Sequence, residues 1–152
     1  MKKLIGLVTA LALSTPVAAE YLQLSSSISF NGRSSVLYDQ IDAQDGVGYS
    51  QATGIEILKD GAYVIVFAPQ TKVAKGCTSG WLRVNGEDVA NSNVVYCTQS
   101  PKDTNVLISQ GVIPLQSGDV VTTEIDGEGV EAQFPTNAPQ IPSAITSIWK
   151  LN

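Results

Sequence analysis

The stretch YSQATGIEILKDGAYVIVFA, Tyr49 to Ala68, decides the fold class. It reads as an extended run, a polar turn at Lys59-Asp60-Gly61, and a strand that is apolar on both faces. Side chains alternate along a strand with period two, so Tyr63, Ile65 and Phe67 point one way and Val64, Val66 and Ala68 the other. An antiparallel sheet commonly packs one face on a core and wets the other. A strand apolar on both faces needs cover twice, once within its own domain and once from something else. The reading is an assembly module, with Tyr63, Val64, Ile65, Val66 and Phe67 as its core or oligomer strand.

Outward from this stretch, strand-like runs recur between turn residues, the pattern of an all-β sandwich or barrel. Toward the N-terminus, Tyr21 to Phe30 alternates and ends at Asn31-Gly32. Val36 to Ile41 is a short strand, followed by an Asp/Gln/Gly-rich loop through Gly48. Toward the C-terminus, Trp81 to Val84 enters an Asn85-Gly86 turn, whose residues accept the positive φ of a tight hairpin, and returns through Val94-Val95-Tyr96. Thr104 to Pro114 and Val120 to Ile125 flank Ser117-Gly118-Asp119. Asp126-Gly127-Glu128-Gly129 reverses the chain into Val130 to Phe134, and a Pro-rich loop leads to Ile145 to Leu151. In that last strand Trp149 shares a face with Ile145, Ser147 and Leu151. About ten strands and no periodic helix make one all-β domain.

Cys77 and Cys97 are the only two cysteines, and in an exported chain they are expected to form a disulfide. A two-residue turn at 85–86 pairs residues whose numbers sum to 171, whereas 77 and 97 sum to 174. The hairpin must therefore carry a bulge or longer loop, with Asn91-Ser92-Asn93 its expected place.

Export is read from residues 1–19. Lys2-Lys3 gives a positive start, Leu4 to Leu13 an apolar run, and Val17-Ala18-Ala19 a small-residue end before Glu20. That order is a secretory signal peptide, too short for a membrane span. The domain is then 20–152, and no later apolar stretch suggests a transmembrane segment. The chain holds nine basic and fourteen acidic residues; without Lys2 and Lys3 the balance is 7 − 14 = −7. With no basic cluster, no nucleic-acid partner is expected. Localisation is secreted, periplasmic or cell-surface.

The order of these segments resembles the C1q/tumour-necrosis-factor-like jelly-roll superfamily, most closely a C1q-type head. Val36-Leu37-Tyr38-Asp39 stands at the early aromatic strand, and Tyr49-Ser50-Gln51-Ala52-Thr53-Gly54-Ile55 is similar to the aromatic-then-Thr-Gly segment. Asp60-Gly61-Ala62-Tyr63 is similar to the Gly-x-Tyr strand start, Leu82-Arg83-Val84-Asn85-Gly86 to the central hairpin, and Leu115-Gln116-Ser117-Gly118-Asp119-Val120 to the Leu-x-x-Gly-Asp-x-Val segment. Ser143 to Leu151 takes the place of the closing strand. The resemblance implies an antiparallel jelly-roll sandwich that assembles as a homotrimer, one sheet of each subunit facing the three-fold axis. It also implies a non-enzymatic binding or surface-structural role, with a surface protein or glycan as ligand.

The chain has no histidine, which removes Ser-His-Asp and Cys-His catalysis and histidine metal sites. No catalytic residue or cofactor is expected. Acidic residues around one hairpin, Glu124, Asp126, Glu128 and Glu131, leave three readings open: solvated turn charges, a calcium site with Asp126 and Glu128 as candidates, or a carboxylate pair of a carbohydrate-binding or carbohydrate-active jelly roll. A trimeric decoration or fibre-tip protein of a virus or cell surface is a further structural reading. Trp81 and Trp149, as strand tryptophans, are assigned to core or interface ahead of a sugar platform.

Overall fold

A computed structural model describes residues 19–72, 76–98, 105–127, 129–133 and 135–151. All but the last residue of the expected leader, together with Glu128 and Phe134, lies outside them. The strands, in chain order, are β1 (Tyr21–Ser26), β2 (Ser34–Ser35), β3 (Gln40–Asp45), β4 (Val47–Ser50), β5 (Gly54–Ile57), β6 (Gly61–Thr71) and β7 (Gly76–Val84). They continue as β8 (Glu87–Asp88), β9 (Val94–Thr98), β10 (Asn105–Val106), β11 (Ser109–Leu115), β12 (Val120–Asp126) and β13 (Ala144–Lys150). Three of these, β2, β8 and β10, are two-residue pieces, which separates this count from the ten strands expected.

Two antiparallel sheets face each other. One runs β10-β6-β13-β1-β3 with β11 also on β6; the other runs β4-β5-β12-β7-β8, with β2 on β12 and β9 on β7. The inward residues of β6, Tyr63, Ile65 and Phe67, are fully buried, with Leu22, Leu24 and Ile148 from the neighbouring strands. They meet Ile55, Ile57, Leu82, Val121 and Ile125 of the opposite sheet in a single hydrophobic cluster. Phe67 reaches so far across that Gly80 of β7 must be small: a Cβ there would lie 3.1 Å from the ring.

The β7 hairpin has the two registers the sequence demands. Arg83 pairs Asp88 and Val84 pairs Glu87 across the Asn85-Gly86 turn, where both residues have positive φ. Beyond it Cys77 pairs Cys97 and Gly80 pairs Val94. The extra length is taken up by residues 89–93, where Asn91 has φ 62°. There the Ser92 hydroxyl accepts the Leu82 amide at 3.0 Å and donates to the Val89 carbonyl at 2.8 Å, satisfying groups the ladder leaves open. Cys77 and Cys97 are disulfide-bonded.

Three local expectations are corrected. The Asp/Gln-rich segment before Gly46 is not a loop but strand β3, all six residues exposed and all but Asp42, at a bulge, paired with β1. Its ladder comes from backbone hydrogen bonds at a polar sheet edge, which leave no hydrophobic pattern. Residues 36–39 are not strand: the Val36 amide donates to the Thr123 carbonyl at 2.8 Å and the Tyr38 amide to the Tyr49 hydroxyl at 2.8 Å. Their apolar alternation records burial of Val36 and Tyr38 without a ladder. Residues 130–133 form isolated bridges, Val130 with Phe30 and Thr71 and Gln133 with Ile141, instead of a strand.

Candidate functional site

The outward positions of the first sheet hold the second apolar face of β6. Val64 pairs Val112 of β11 on one side and Trp149 of β13 on the other, and Trp149 pairs Tyr21 of β1. Cross-strand partners project from the same face, so these four side chains form one row. Val112 is 64% exposed, and Trp149 and Tyr21 are 40% exposed. The next row holds the polar Gln110, Ser147 and Gln23 beside Val66 and is likewise uncharged on these four strands. No outward position on β11, β6, β13 or β1 carries a formal charge, in a chain where acidic residues outnumber basic ones. The loop 135–142 does not close this face: its Gln140 and Pro142 border a hollow beside Ile145, at the other end of β13 from Trp149. Thus Tyr63, Ile65 and Phe67 sit in the sandwich core, while Val64, Val66 and Trp149 lie on its outer face.

The outward face of the second sheet has the opposite character. Ser79, Trp81 and Arg83 of β7 pair Asp126, Glu124 and Thr122 of β12. The Trp81 indole N–H donates to Asp88 Oδ1 at 2.9 Å, and Arg83 Nε lies 3.0 Å from the same oxygen, an ion pair too bent for a hydrogen bond. The Arg33 guanidinium rests 5.3 Å over the Trp81 ring. Glu124 is buried beside them, its Oε1 accepting the hydroxyls of Ser35 at 2.6 Å and Thr122 at 2.9 Å. Between the Arg33 turn and the 88–93 segment lies a hollow of about 260 Å³, lined by Arg33, Ser79, Trp81, Asp88, Val89, Asn93 and Asp126.

No family model and no curated protein matches the sequence. Solved structures do. The crystal structure of murine APRIL at pH 5.0 superposes with a TM-score of 0.65 at 16% identity, over 88% of this chain and 99% of that one. Murine APRIL at pH 8.0 and at pH 8.5 superposes at TM-score 0.63 with 16% and 15% identity, over the same shares. The chain has the C1q/tumour-necrosis-factor-like jelly-roll fold. At such identity the likeness establishes the fold of this jelly roll and nothing finer.

The candidate residues are thereby sorted. Cys77 and Cys97 tie β9 to β7 in the jelly roll. Asp126 borders the hollow beside Trp81, and among the described residues no group of three carboxylates or cysteines converges as a metal site would. Nothing in the sequence marks Arg33 or Asp88, and Asn93 stands out only as part of the expected bulge. Each comes from a different turn or short strand, so only the fold brings them together. Among the described residues no helix is long and apolar enough to cross a membrane.

Proposed function

We propose that this chain is an exported, non-enzymatic binding or surface-structural module that acts as a homotrimer of C1q-like jelly rolls. The observation that carries this reading is the exposed, uncharged row Val112-Val64-Trp149-Tyr21 on the outer face of the first sheet. Covering a large apolar side chain stabilises by roughly 1.5–3 kcal/mol. Repetition of the row in every subunit of a closed ring multiplies the gain. A second copy suits this face better than an unlike partner: at a net charge near −7, copies repel at most of their surface, whereas strands β11, β6, β13 and β1 bring no carboxylates together and Asp42 and Asp45 lie on the edge strand β3. The leader-like residues 1–19 and the disulfide support export to an oxidising compartment. Binding would use loops held by the rigid sandwich.

The test is the solution mass of the mature chain by light scattering. Three times the monomer mass is expected, and a monomer at micromolar concentration would overturn the association. A second arm uses Trp149→Asp, which should give a folded monomer; a trimer in that variant would place the interface elsewhere.

A further inference from the structure

We propose that the hollow over Trp81 binds one pyranose unit of a neutral glycan. This rests on reading the chain as a binding module, and it assigns the ligand class to the second sheet, away from the association face. The hollow offers both kinds of hydrogen-bonding group without pairing them to each other. The Asp126 carboxylate, Asp88 Oδ2 and the Asn93 amide have no side-chain partner among the described residues, and Arg33 forms no ion pair there. Asp88 is neutralised by Arg83, so Arg33 and Asp126 leave the lining of the hollow nearly balanced in charge.

A strongly anionic ligand would meet Asp126 and Asp88, and a cationic one would meet Arg33. A sugar hydroxyl fits both sides, since it donates to a carboxylate and accepts from a guanidinium or amide. The indole supplies the apolar surface against which a pyranose C–H face packs. Trp81 is only 7% exposed, and the exposed Arg33 guanidinium covers its ring by a cation–π contact; such a contact is weak where the cation is solvated, so the Arg33 head can swing aside, uncover the ring and donate to the sugar from the rim. The Trp81 ring is itself fixed by its N–H bond to Asp88, and the 89–93 segment is pinned through Ser92. The wall of the site is therefore preorganised.

The experiment is saturation-transfer NMR on the mature full-length chain with the methyl glycosides of glucose, galactose, mannose and N-acetylglucosamine. Transfer to at least one glycoside is expected. It should weaken at least tenfold in Asp126→Ala and in Asn93→Ala, whose exposed positions leave the fold intact by circular dichroism. No transfer to any of the four at millimolar sugar would overturn the proposal. So would equal transfer in both variants, or tighter binding of a 6-sulfated galactoside than of its neutral parent. Light scattering on the same samples separates the two readings. A trimer without glycoside binding sinks this assignment alone, whereas a monomer that binds sugar supports it and sinks the association.

Discussion

Single residues in this chain divide by the face they serve. Phe67 and Val66 are neighbours in sequence, yet Phe67 is fully buried against Gly80 and Val66 looks outward. Phe67→Asp should prevent folding, because an unpaired charge in the core costs several kcal/mol; circular dichroism and solubility report it. Val112→Asp should leave the subunit folded by circular dichroism and remove assembly, which a parallel light-scattering run detects, with the melting temperature falling as the association energy is lost. Gly80→Ala should destabilise by about 1–3 kcal/mol through overpacking against the Phe67 ring, read as a shift of the urea midpoint. Glu20 is the residue after the expected cleavage point. Its carboxylate accepts Lys59 Nζ at 2.5 Å and Lys150 Nζ at 3.1 Å. These bonds, Lys59's first, hold its pKa below the ordinary glutamate value. A depressed carboxylate contributes stability that is present above its unfolded value and lost as pH falls through the folded one. Thermal melts from neutral to acid should therefore decline less steeply in Glu20→Gln than in wild type. An equal slope would remove this cluster from acid unfolding. Tyr38 is a residue whose role no pattern announces. Its buried hydroxyl joins Thr123 at 2.6 Å and Thr146, bridging strands of both sheets, and burial raises its pKa far above the usual phenol value.

At the scale of elements, legibility follows the source of each strand's stability. The long strands β6 and β13 bury alternate side chains, so their period shows where they run. Edge strand β3 is held by its ladder to β1 and by nothing apolar, so it leaves no such trace. The β7 hairpin shows how two constraints can expose an irregularity: the turn demands one register and the cysteines another, and residues 89–93 absorb the difference. The disulfide closes a separation of 20 residues, worth roughly 3 kcal/mol in the chain-entropy model. Reduction should lower the melting temperature by on the order of 10 °C and loosen β9 first, visible as faster amide exchange at Val94 to Thr98. An unchanged melt would mean that the bridge contributes nothing to the fold. A second pair of turns is locked by side chains. Asn85 Nδ2 donates to Asp119 Oδ1 at 2.8 Å, and the Val120 amide donates to Asn85 Oδ1 at 2.9 Å, so the β7–β8 hairpin turn and the β11–β12 crossing between sheets close on each other.

The whole molecule has two outer faces of contrasting chemistry, one with an apolar row on four uncharged strands and carboxylates only at its β3 edge, the other polar around Trp81. Chelation with EDTA should leave both the melting temperature and the mass unchanged, since the described carboxylates do not gather into a metal cage; a fall of several degrees would restore calcium to the account. The amino-acid sequence by itself determined the all-β class, the doubly apolar strand at Tyr63 to Ala68, the cysteine pair and the extra length in its hairpin. Each of these is written in local periodicity, turn chemistry or residue spacing. It did not decide which side of β6 is core, because both sides are apolar and the choice depends on which sheet packs against it. Nor could it assemble the hollow over Trp81. Arg33, Asp88, Asn93 and Asp126 are up to 93 positions apart in the chain, and only the pairing of β2, β12, β7 and β9 in one sheet brings them to a common surface. Local pattern records what each segment buries; which surfaces remain and what they share is fixed by long-range packing alone.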